Sequence, residues 1–483
     1  MSTARVREAI ALLWLASACD APAGTPAPAG TPAAAATPTA PMPTPVAGTD
    51  LCSGATREGG RLRWFHDDYA GALACAKSKQ LPLAIDMWAP WCHTCLSMQT
   101  YVLTDDRLAE YDARFVFLAL DTDREGNAEV VAKFPPAAWP TFFVVSSVDE
   151  SIQSRFVGAA TVEQFAGFLD DGERGHHALG SGELAAHEAA AREGDRRSAA
   201  KQWPAAAAAY DEALAKAPPT WTRTPDVAVS LLAARVKAEQ RSERAAVATT
   251  AMDRTGAAAS ATDFCVHALS CAALQGDAAQ AASLREAVVK RLSALVDDAA
   301  APLSVDDRSD AFAVLRQAQE ALGRKDDARA SATRQRALLD EASAAASSPR
   351  VAMTYNWPRA EVYAYLGVPL ELVPALERSI ADLPKEYDPP YRLAWLLLQA
   401  GQPDRARAHA EQAVALAYGP RKAKAQGLLA DIHAARKDLA AERQARTDVL
   451  ATLQGLPPAA QNPDAIAKAR AQLEAVAGAA GVR

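Results

Sequence analysis

The chain has 483 residues, which is too many for one hydrophobic core, so we expect two or three domains. Its formal net charge is −7 and it has no basic stripe, which argues against binding to nucleic acid. Beyond residue 20 no apolar run is long enough to span a bilayer.

Residues 1–19 are typical of an export signal, because Arg5 and Arg7 precede a short apolar core. Two cleavage sites remain open. Ala16-Ser17-Ala18 fits an ordinary signal peptidase, whereas Cys19 directly after it resembles the lipidated cysteine of a bacterial lipoprotein. The leucine usual three residues before such a cysteine is missing. We favour lipidation of Cys19, which would anchor the protein to a membrane in the periplasm or cell envelope.

Residues 20–58 favour this interpretation because they are rich in Pro, Ala and Thr and have almost no large apolar side chain. Such a segment cannot form a core, and its prolines make it an extended spacer. The spacer would hold a folded domain away from the membrane. The alternative is a disordered tail on a soluble secreted protein.

Residues 59–172 alternate between strand and helix patterns, which predicts a layered α/β domain. Buried strands are predicted at 81–88, 114–120, 141–147 and 154–158, the last two as a hairpin. Helices are predicted at 67–79, 92–103 and 161–169, with a short helix capped by Thr104 between the second and third.

Two motifs in this region carry a family resemblance. The stretch "IDMWAPWCHTC" places Cys92-His93-Thr94-Cys95 directly after a buried strand, and "WPTFF" (139–143) precedes the hairpin. Together they resemble the thioredoxin-like family. The similarity is greatest to the C-terminal domain of bacterial periplasmic thiol–disulfide interchange proteins, and it covers about residues 62–169.

The resemblance implies a redox-active Cys92–Cys95 disulfide. A free cysteine has a pKa of ~8.5 and is only a few per cent ionised at neutral pH. Cys92 lies at a helix start, where unpaired N–H groups favour its anion, so it is the expected nucleophile. Cys95 would then resolve the mixed disulfide, and Trp91 would shield the pair. Asp86, on the preceding strand, would act as general acid/base for Cys95.

His93 and Thr94, between the cysteines, are expected to tune the reduction potential. A charged His93 would stabilise the Cys92 thiolate and make the disulfide more oxidising than that of thioredoxin. Alternatively, His93 points into solvent. The direction of electron flow therefore stays open.

The cis-proline segment of the family corresponds to Pro140 here. If its peptide bond is cis, it would present the backbone of Trp139 to a substrate peptide, with Thr141 beside it. Asp86 has no lysine partner on the strand at 114–120, unlike its counterpart in thioredoxin. We therefore expect Asp86 to be strongly desolvated and neutral at pH 7.

The remaining cysteines are expected to be structural. Cys52 and Cys75 flank the start of the α/β domain and could form a bridge. Cys265 and Cys271 lie on one predicted helix, six residues apart and therefore on different faces. We expect them to be buried as small hydrophobic side chains.

A metal site is the rival interpretation of the cysteine pair. Zinc usually needs four ligands, and no second cysteine or histidine pair follows at ligand spacing. His176 and His177 could contribute ligands, but we expect them in a solvated interdomain turn. We predict no metal and no cofactor, with copper handling by Cys92, Cys95 and His93 as a minor alternative.

Residues 173–483 are predicted to be almost entirely helical, with a glycine at a turn and an alanine five residues later. Gly401 and Ala406 show this pattern, and Gly367 precedes Gly401 by 34 residues (401 − 367), which is the tetratricopeptide period. The segment 389–420 resembles one tetratricopeptide unit. Such repeats predict a protein partner on a concave face, although a helical spacer is the alternative. The scattered charged residues suggest a solvated face.

These observations predict an α/β thioredoxin-like domain followed by an all-α tetratricopeptide-like solenoid. The predicted activity is that of an exported thiol–disulfide oxidoreductase, acting on protein thiols and disulfides with an unidentified redox donor. One alternative is a scaffold lipoprotein in which the repeats carry the main role. A metal-handling protein is a third hypothesis.

Overall fold

A computed structural model of the chain describes residues 50–57 and 59–480. The predicted export signal, the lipidation of Cys19 and nearly all of the predicted spacer lie outside the described residues. Within the described ranges, no helix combines the length and apolarity needed to cross a bilayer.

The N-terminal part contains a mixed sheet in the order β1-β2-β4-β3-β5-β6. Its strands are β1 Thr56–Arg57, β2 Arg63–His66, β3 Leu83–Trp88, β4 Val116–Asp121, β5 Thr141–Val145 and β6 Ile152–Val157. Strand β4 is parallel to β2 and β3, whereas β5 is antiparallel to both β3 and β6. The predicted hairpin of β5 and β6 is confirmed. The sequence did not predict β1 and β2, because both are short and carry charged residues.

Helices cover both faces of this sheet, which is why its central strands are apolar throughout. The helices are α1 Tyr69–Lys79, α2 His93–Tyr101, α3 Ala128–Lys133 and α4 Val162–Ser181. Helices α2 and α4 pack on the face that carries Ala84 and Phe142. Helix α1 packs on the opposite face, which carries Leu83 and Ile85. Two 3-10 segments, Asp106–Ala113 and Glu125–Asn127, complete this part.

The predicted cap of the segment after α2 was wrong. Asp105, not Thr104, caps the segment after α2, because its carboxylate accepts a hydrogen bond from the N–H of Arg107. The Thr104 hydroxyl instead donates to the carbonyl of Thr100.

The predicted interdomain turn around His176 is helical. Helix α4 runs through to Ser181, and the predicted boundary between residues 172 and 173 falls inside it. Glycines in this stretch suggested a turn, but Gly172 lets the helix approach Val144 of the sheet closely. His176 is buried, with Nδ1 3.0 Å from the hydroxyl of Ser146.

From α4 onward the described chain is all helical, with seventeen α-helices, as the fold class predicted. Those after α4 are α5 Ala186–Ala199, α6 Trp203–Lys216, α7 Thr224–Lys237, α8 Arg241–Thr250, α9 Ala259–Ala273, α10 Ala278–Asp297, α11 Val305–Ala321, α12 Lys325–Ala344, α13 Pro349–Met353, α14 Asn356–Leu366, α15 Val373–Asp382, α16 Asp388–Gln399, α17 Pro403–Leu416, α18 Gly419–Ala435, α19 Leu439–Gly455 and α20 Pro463–Ala480. Short 3-10 segments lie at Met252–Thr255, Pro369–Leu372 and Pro458–Ala460.

Successive helices pack on one another, and the glycine–alanine pattern marks where they do so. Gly323 and Gly401 adopt positive φ angles of 77° and 70° at the turns before α12 and α17. Ala328 and Ala406, five residues after each glycine, are fully buried. Small side chains at these positions allow the paired helices to approach closely.

The helical part also packs against the α/β part. Helix α5 lies against β6, helices α11 and α13 lie against α2, and the segment Pro458–Ala460 lies against α3. Helix α2 begins directly after Cys92. The helices therefore cover the end of the sheet where the cysteine pair lies.

Candidate redox site

The cysteine pair lies between the end of β3 and the first turn of α2. Cys92 is the N-cap residue of α2, and its Sγ accepts a hydrogen bond of 3.0 Å from the backbone N–H of Cys95. The two sulfurs form a disulfide bond, with the Cα atoms 5.2 Å apart. Cys92 is only 4% exposed and Cys95 only 1%. A donor already aimed at Sγ would stabilise a thiolate on Cys92 after reduction.

Asp86 lies in the middle of β3, between Ala119 of β4 and Phe142 of β5. Alternation along the strand places it on the same face as Ala84, which is the face that α2 covers. Its Oδ1 is buried without a hydrogen-bond partner. Burial raises the pKa of Asp86 to about 7, against a hydrogen bond with Gln99 of α2 that lowers it. A carboxyl group with this pKa can both give and take a proton near neutral pH.

The cis-proline segment lies beside the pair. The Trp139–Pro140 peptide bond is cis. The Trp139 ring packs 5.3 Å from that of Trp91, and both contact the cluster formed by Cys92 and Cys95. Thr141 is buried, and its hydroxyl donates to the carbonyl of Ala138 at 2.6 Å, so this group holds its own loop.

His93 does not point into solvent but faces helix α11. Its Nδ1 lies 2.9 and 3.0 Å from the two carboxylate oxygens of Asp306. The Asp306 side chain is fully buried, and that of His93 is 15% exposed. Burial lowers the pKa of His93, but the charges of Asp306, Asp310 and Glu361 outweigh it and raise the pKa to about 10. Thr94, the next residue, is half-buried in the first turn of α2.

Trp91 is held by the helical part. The guanidinium of Arg421 in α18 stacks 3.9 Å from the centre of its ring, and Arg392 in α16 donates to its carbonyl at 3.1 Å. Its indole N–H donates to Asp123 at 2.8 Å, and the Tyr387 hydroxyl donates to the same carboxylate oxygen at 3.1 Å. Trp91 therefore shields the disulfide together with helices far away in the sequence.

Further contacts join α2 to the helical part. The hydroxyl of Ser97 donates to that of Ser304 at 3.1 Å, and the hydroxyls of Tyr101 and Tyr355 lie 2.9 Å apart. These two contacts are polar and directional. They fix the orientation of the helical part over the cysteine pair.

The sequence missed this whole set of partners. The charged residues of the helical part were expected on a solvated face, which is wrong for Asp306 and for Asp388, both buried. One signal was available: Asp306 and Asp310 are four residues apart and so share a helix face. A second signal was the aromatic concentration between residues 355 and 418 in an alanine-rich region.

The structure brings together a different set of possible metal ligands from the set that the sequence suggested. Within the described residues, the ligand atoms that lie within 4.8 Å of one another belong to His93, Asp306 and Asp310. Neither Cys92 nor Cys95 belongs to such a group. The copper-handling alternative combined both cysteines with His93, which is a different set of residues.

The other cysteines occupy structural positions. Cys52 and Cys75 form a second disulfide. Cys265 and Cys271 are free and buried in α9, as predicted.

Comparison with known proteins supports the geometry. Residues 64–146 match a family model described as thioredoxin-like. This part of the chain is a thioredoxin-like domain. It contains the cysteine pair, Asp86 and the cis-proline segment. Curated proteins yield no match to the chain. A disulfide at the start of a helix in a thioredoxin-like domain is compatible with redox activity.

Proposed function

We propose that the protein is a thiol–disulfide oxidoreductase that exchanges disulfides with protein substrates through Cys92 and Cys95. The observation that carries this proposal is the Cys92–Cys95 disulfide at the N-terminus of α2, with an N–H group aimed at the Cys92 sulfur. Attack on the outer sulfur of such a pair is the first step of exchange. The buried carboxyl group of Asp86, on the face covered by α2, supplies the proton that Cys95 takes when it leaves as a thiolate, and accepts that proton in the reverse direction.

The exchange reaction balances without a cofactor. A substrate thiolate attacks Sγ of Cys92, the Cys92–Cys95 bond breaks, and Cys95 leaves as a thiolate that takes a proton. A second substrate thiolate then attacks the mixed disulfide and releases Cys92. The substrate loses two electrons and the cysteine pair gains them. The reverse sequence reduces a substrate disulfide.

Access to Cys92 is part of this proposal. An attacking sulfur must reach bonding distance of the Cys92 sulfur, about 2 Å. The residue is almost fully buried and packs with Trp91 and Trp139, and Trp91 is in turn covered by Tyr387 and Arg421 of the helical part. Exchange with a protein therefore requires the helices to separate from the α/β domain, or a substrate to displace Trp91.

We further propose that the protein acts outside the cytoplasm, anchored through a lipid on Cys19. The second disulfide, Cys52–Cys75, supports an oxidising compartment, where structural disulfides persist. Mass spectrometry of the mature N-terminus in membrane and soluble fractions tests this part. A diacylated or triacylated Cys19 would support it, and an unmodified N-terminus at Cys19 or later would contradict the anchor.

Redox titration tests the exchange activity. The chain from residue 20 onward, fully folded, is equilibrated with glutathione buffers, and the fraction of oxidised Cys92–Cys95 is read by mass after alkylation. A reversible two-electron couple with a reduction potential of about −270 mV would indicate a reductase, and one with a potential of about −120 mV would indicate an oxidant. The absence of exchange at every buffer ratio would contradict the proposed function and favour a scaffold role. A protein with scrambled disulfides, used as substrate, then tests the substrate class.

A further inference from the structure

The His93–Asp306 pair joins the cysteine motif to a helix more than two hundred residues away. Asp306 lies in the first turn of α11, which Ser304 caps, and this end of a helix favours negative charge. Its two oxygens face His93 Nδ1 at 2.9 and 3.0 Å, and the carboxylate is completely buried. A buried and charge-assisted contact of this kind fixes both the position and the charge of the ring.

The surroundings of His93 are strongly acidic. Helix α11 contributes Asp306, Asp307 and Asp310, and helix α14 contributes Glu361. Burial raises the pKa of Asp310, and the charge of Asp263 in α9 raises it as well. The pKa of His93 is raised to about 10, so its ring is a cation at neutral pH. His93 directly follows Cys92 in the chain, so this cation is held one residue away from the nucleophile.

We propose that Asp306 is a positioning residue of the redox centre, which holds His93 as a fixed cation next to Cys92 and so favours the Cys92 thiolate. The proposal rests on the exchange activity proposed above. Its consequence is that the helical part of the chain helps to set the reduction potential of the α/β domain.

The effect enters at a defined step. When a second substrate thiolate attacks the mixed disulfide, the bond between the substrate sulfur and Cys92 breaks and Cys92 leaves with the electron pair. A cation beside the leaving sulfur stabilises this thiolate, so the disulfide gains electrons more readily and the pair becomes more oxidising. Removal of the Asp306 charge weakens the cation and makes the pair more reducing.

The test is a double-mutant cycle with Asp306→Asn and His93→Gln, made in the chain from residue 20 onward. The equilibrium constant for oxidation of glutathione by the Cys92–Cys95 disulfide is measured for all four proteins. We expect Asp306→Asn to lower this constant about tenfold, which corresponds to ~30 mV. His93→Gln should lower it as well, and Asp306→Asn should have no further effect in that background, because its action passes through His93.

A second readout is the pH dependence of the Cys92 thiolate in the reduced protein, followed by its ultraviolet absorbance. Its midpoint should move to higher pH in Asp306→Asn and return in Asp306→Glu, which keeps the charge. Tyr355→Phe is the matched control, because it removes a contact between Tyr355 and α2 without touching His93. The control should keep the wild-type potential.

Three outcomes would overturn the inference. The first is an unchanged potential in Asp306→Asn, and the second is an equal shift in Tyr355→Phe, which would show a merely structural effect. The third is a zinc ion bound by wild type and lost in Asp306→Asn with no change in potential. If Asp306→Asn does not fold, an unchanged potential in His93→Gln decides against the proposal. Failure of wild type to react with glutathione would instead refute the proposed function.

Discussion

Cys92 lies at the start of a helix, whereas Cys265 and Cys271 lie in the middle of one. Around Cys92 there are a free helix N-terminus, an N–H donor and a charged histidine. Around Cys265 and Cys271 there is an apolar core, and burial raises their pKa values to about 12 and about 11. The same side chain is thus placed for chemistry in one region and as a small hydrophobe in the other. Position on the helix, more than burial, separates the two, because all three cysteines are buried.

The largest effect is expected when the reactive cysteine itself is replaced. Cys92→Ser should abolish disulfide exchange, because Cys95 is buried behind Cys92 and the free thiols of Cys265 and Cys271 lie in an apolar core. Exchange is measured as oxidation of a reduced protein substrate. Cys271→Ala, the matched change in the apolar core, should leave the exchange rate unchanged. Residual exchange in Cys92→Ser, or loss of exchange in Cys271→Ala, would contradict the assignment.

A smaller effect is expected at Asp86. Asp86→Asn keeps the shape of the side chain but removes the proton donor for the leaving Cys95 thiolate, so oxidation of a dithiol at pH 7 should slow about 10–100-fold. The rate is measured by stopped-flow mixing with a reduced dithiol. Asp106→Asn, an exposed carboxylate of the same domain, is the control. Equal rates in wild type and Asp86→Asn would show that Cys95 takes its proton from water.

Asp86 also predicts how stability depends on pH. In the unfolded protein the Asp86 carboxyl group ionises near its ordinary pKa of 3.8, whereas in the folded protein its pKa is about 7. The unfolded state therefore holds fewer protons between these values, and the free energy of unfolding falls as the pH rises through this interval. Asp86→Asn should remove this loss, so its free energy of unfolding at pH 8 should exceed that of wild type by about 1–3 kcal/mol. The measurement is urea denaturation, in which the variant should unfold at a higher urea concentration. Identical pH profiles for the two proteins would show that Asp86 is already ionised.

Local patterns predicted the α/β part well because its elements depend on short stretches of sequence. Strand β3 is an apolar run, and α2 begins at the cysteine motif that follows it. The full length of α4 could not be predicted in this way. The glycines of residues 173–182 suggest a turn locally, and only the packing of this helix on the sheet, as where Gly172 meets Val144, explains why the helix continues.

The contacts of the cysteine motif with the helical part involve residues far away in the sequence, so local patterns could not predict them. Nothing near Asp306 in the sequence indicates that it faces His93, since this contact needs the complete run of helices between them. The cysteine pair, its flanking tryptophans and Pro140 were visible as motifs. The charge placed next to them was not. A buried acidic side chain is costly unless paired, so its partner becomes clear only from the fold.

The smallest expected effect concerns access to the pair, which also separates Cys92 from the core cysteines, since only Cys92 must become exposed to react. Arg421 stacks on Trp91. Burial raises the pKa of Asp123, the hydrogen-bond partner of Trp91, and the charge of Arg421 opposes this rise. Arg421→Ala removes a stacking contact of about 0.5–1 kcal/mol. If opening of the helices limits exchange, this loss raises the open population, and exchange with a protein dithiol should become about 2–5-fold faster. Arg407→Ala, an exposed arginine paired with Glu411 on α17, should leave the rate unchanged. Equal rates for Arg421→Ala and wild type would mean that a substrate reaches Cys92 without separating the two parts of the chain.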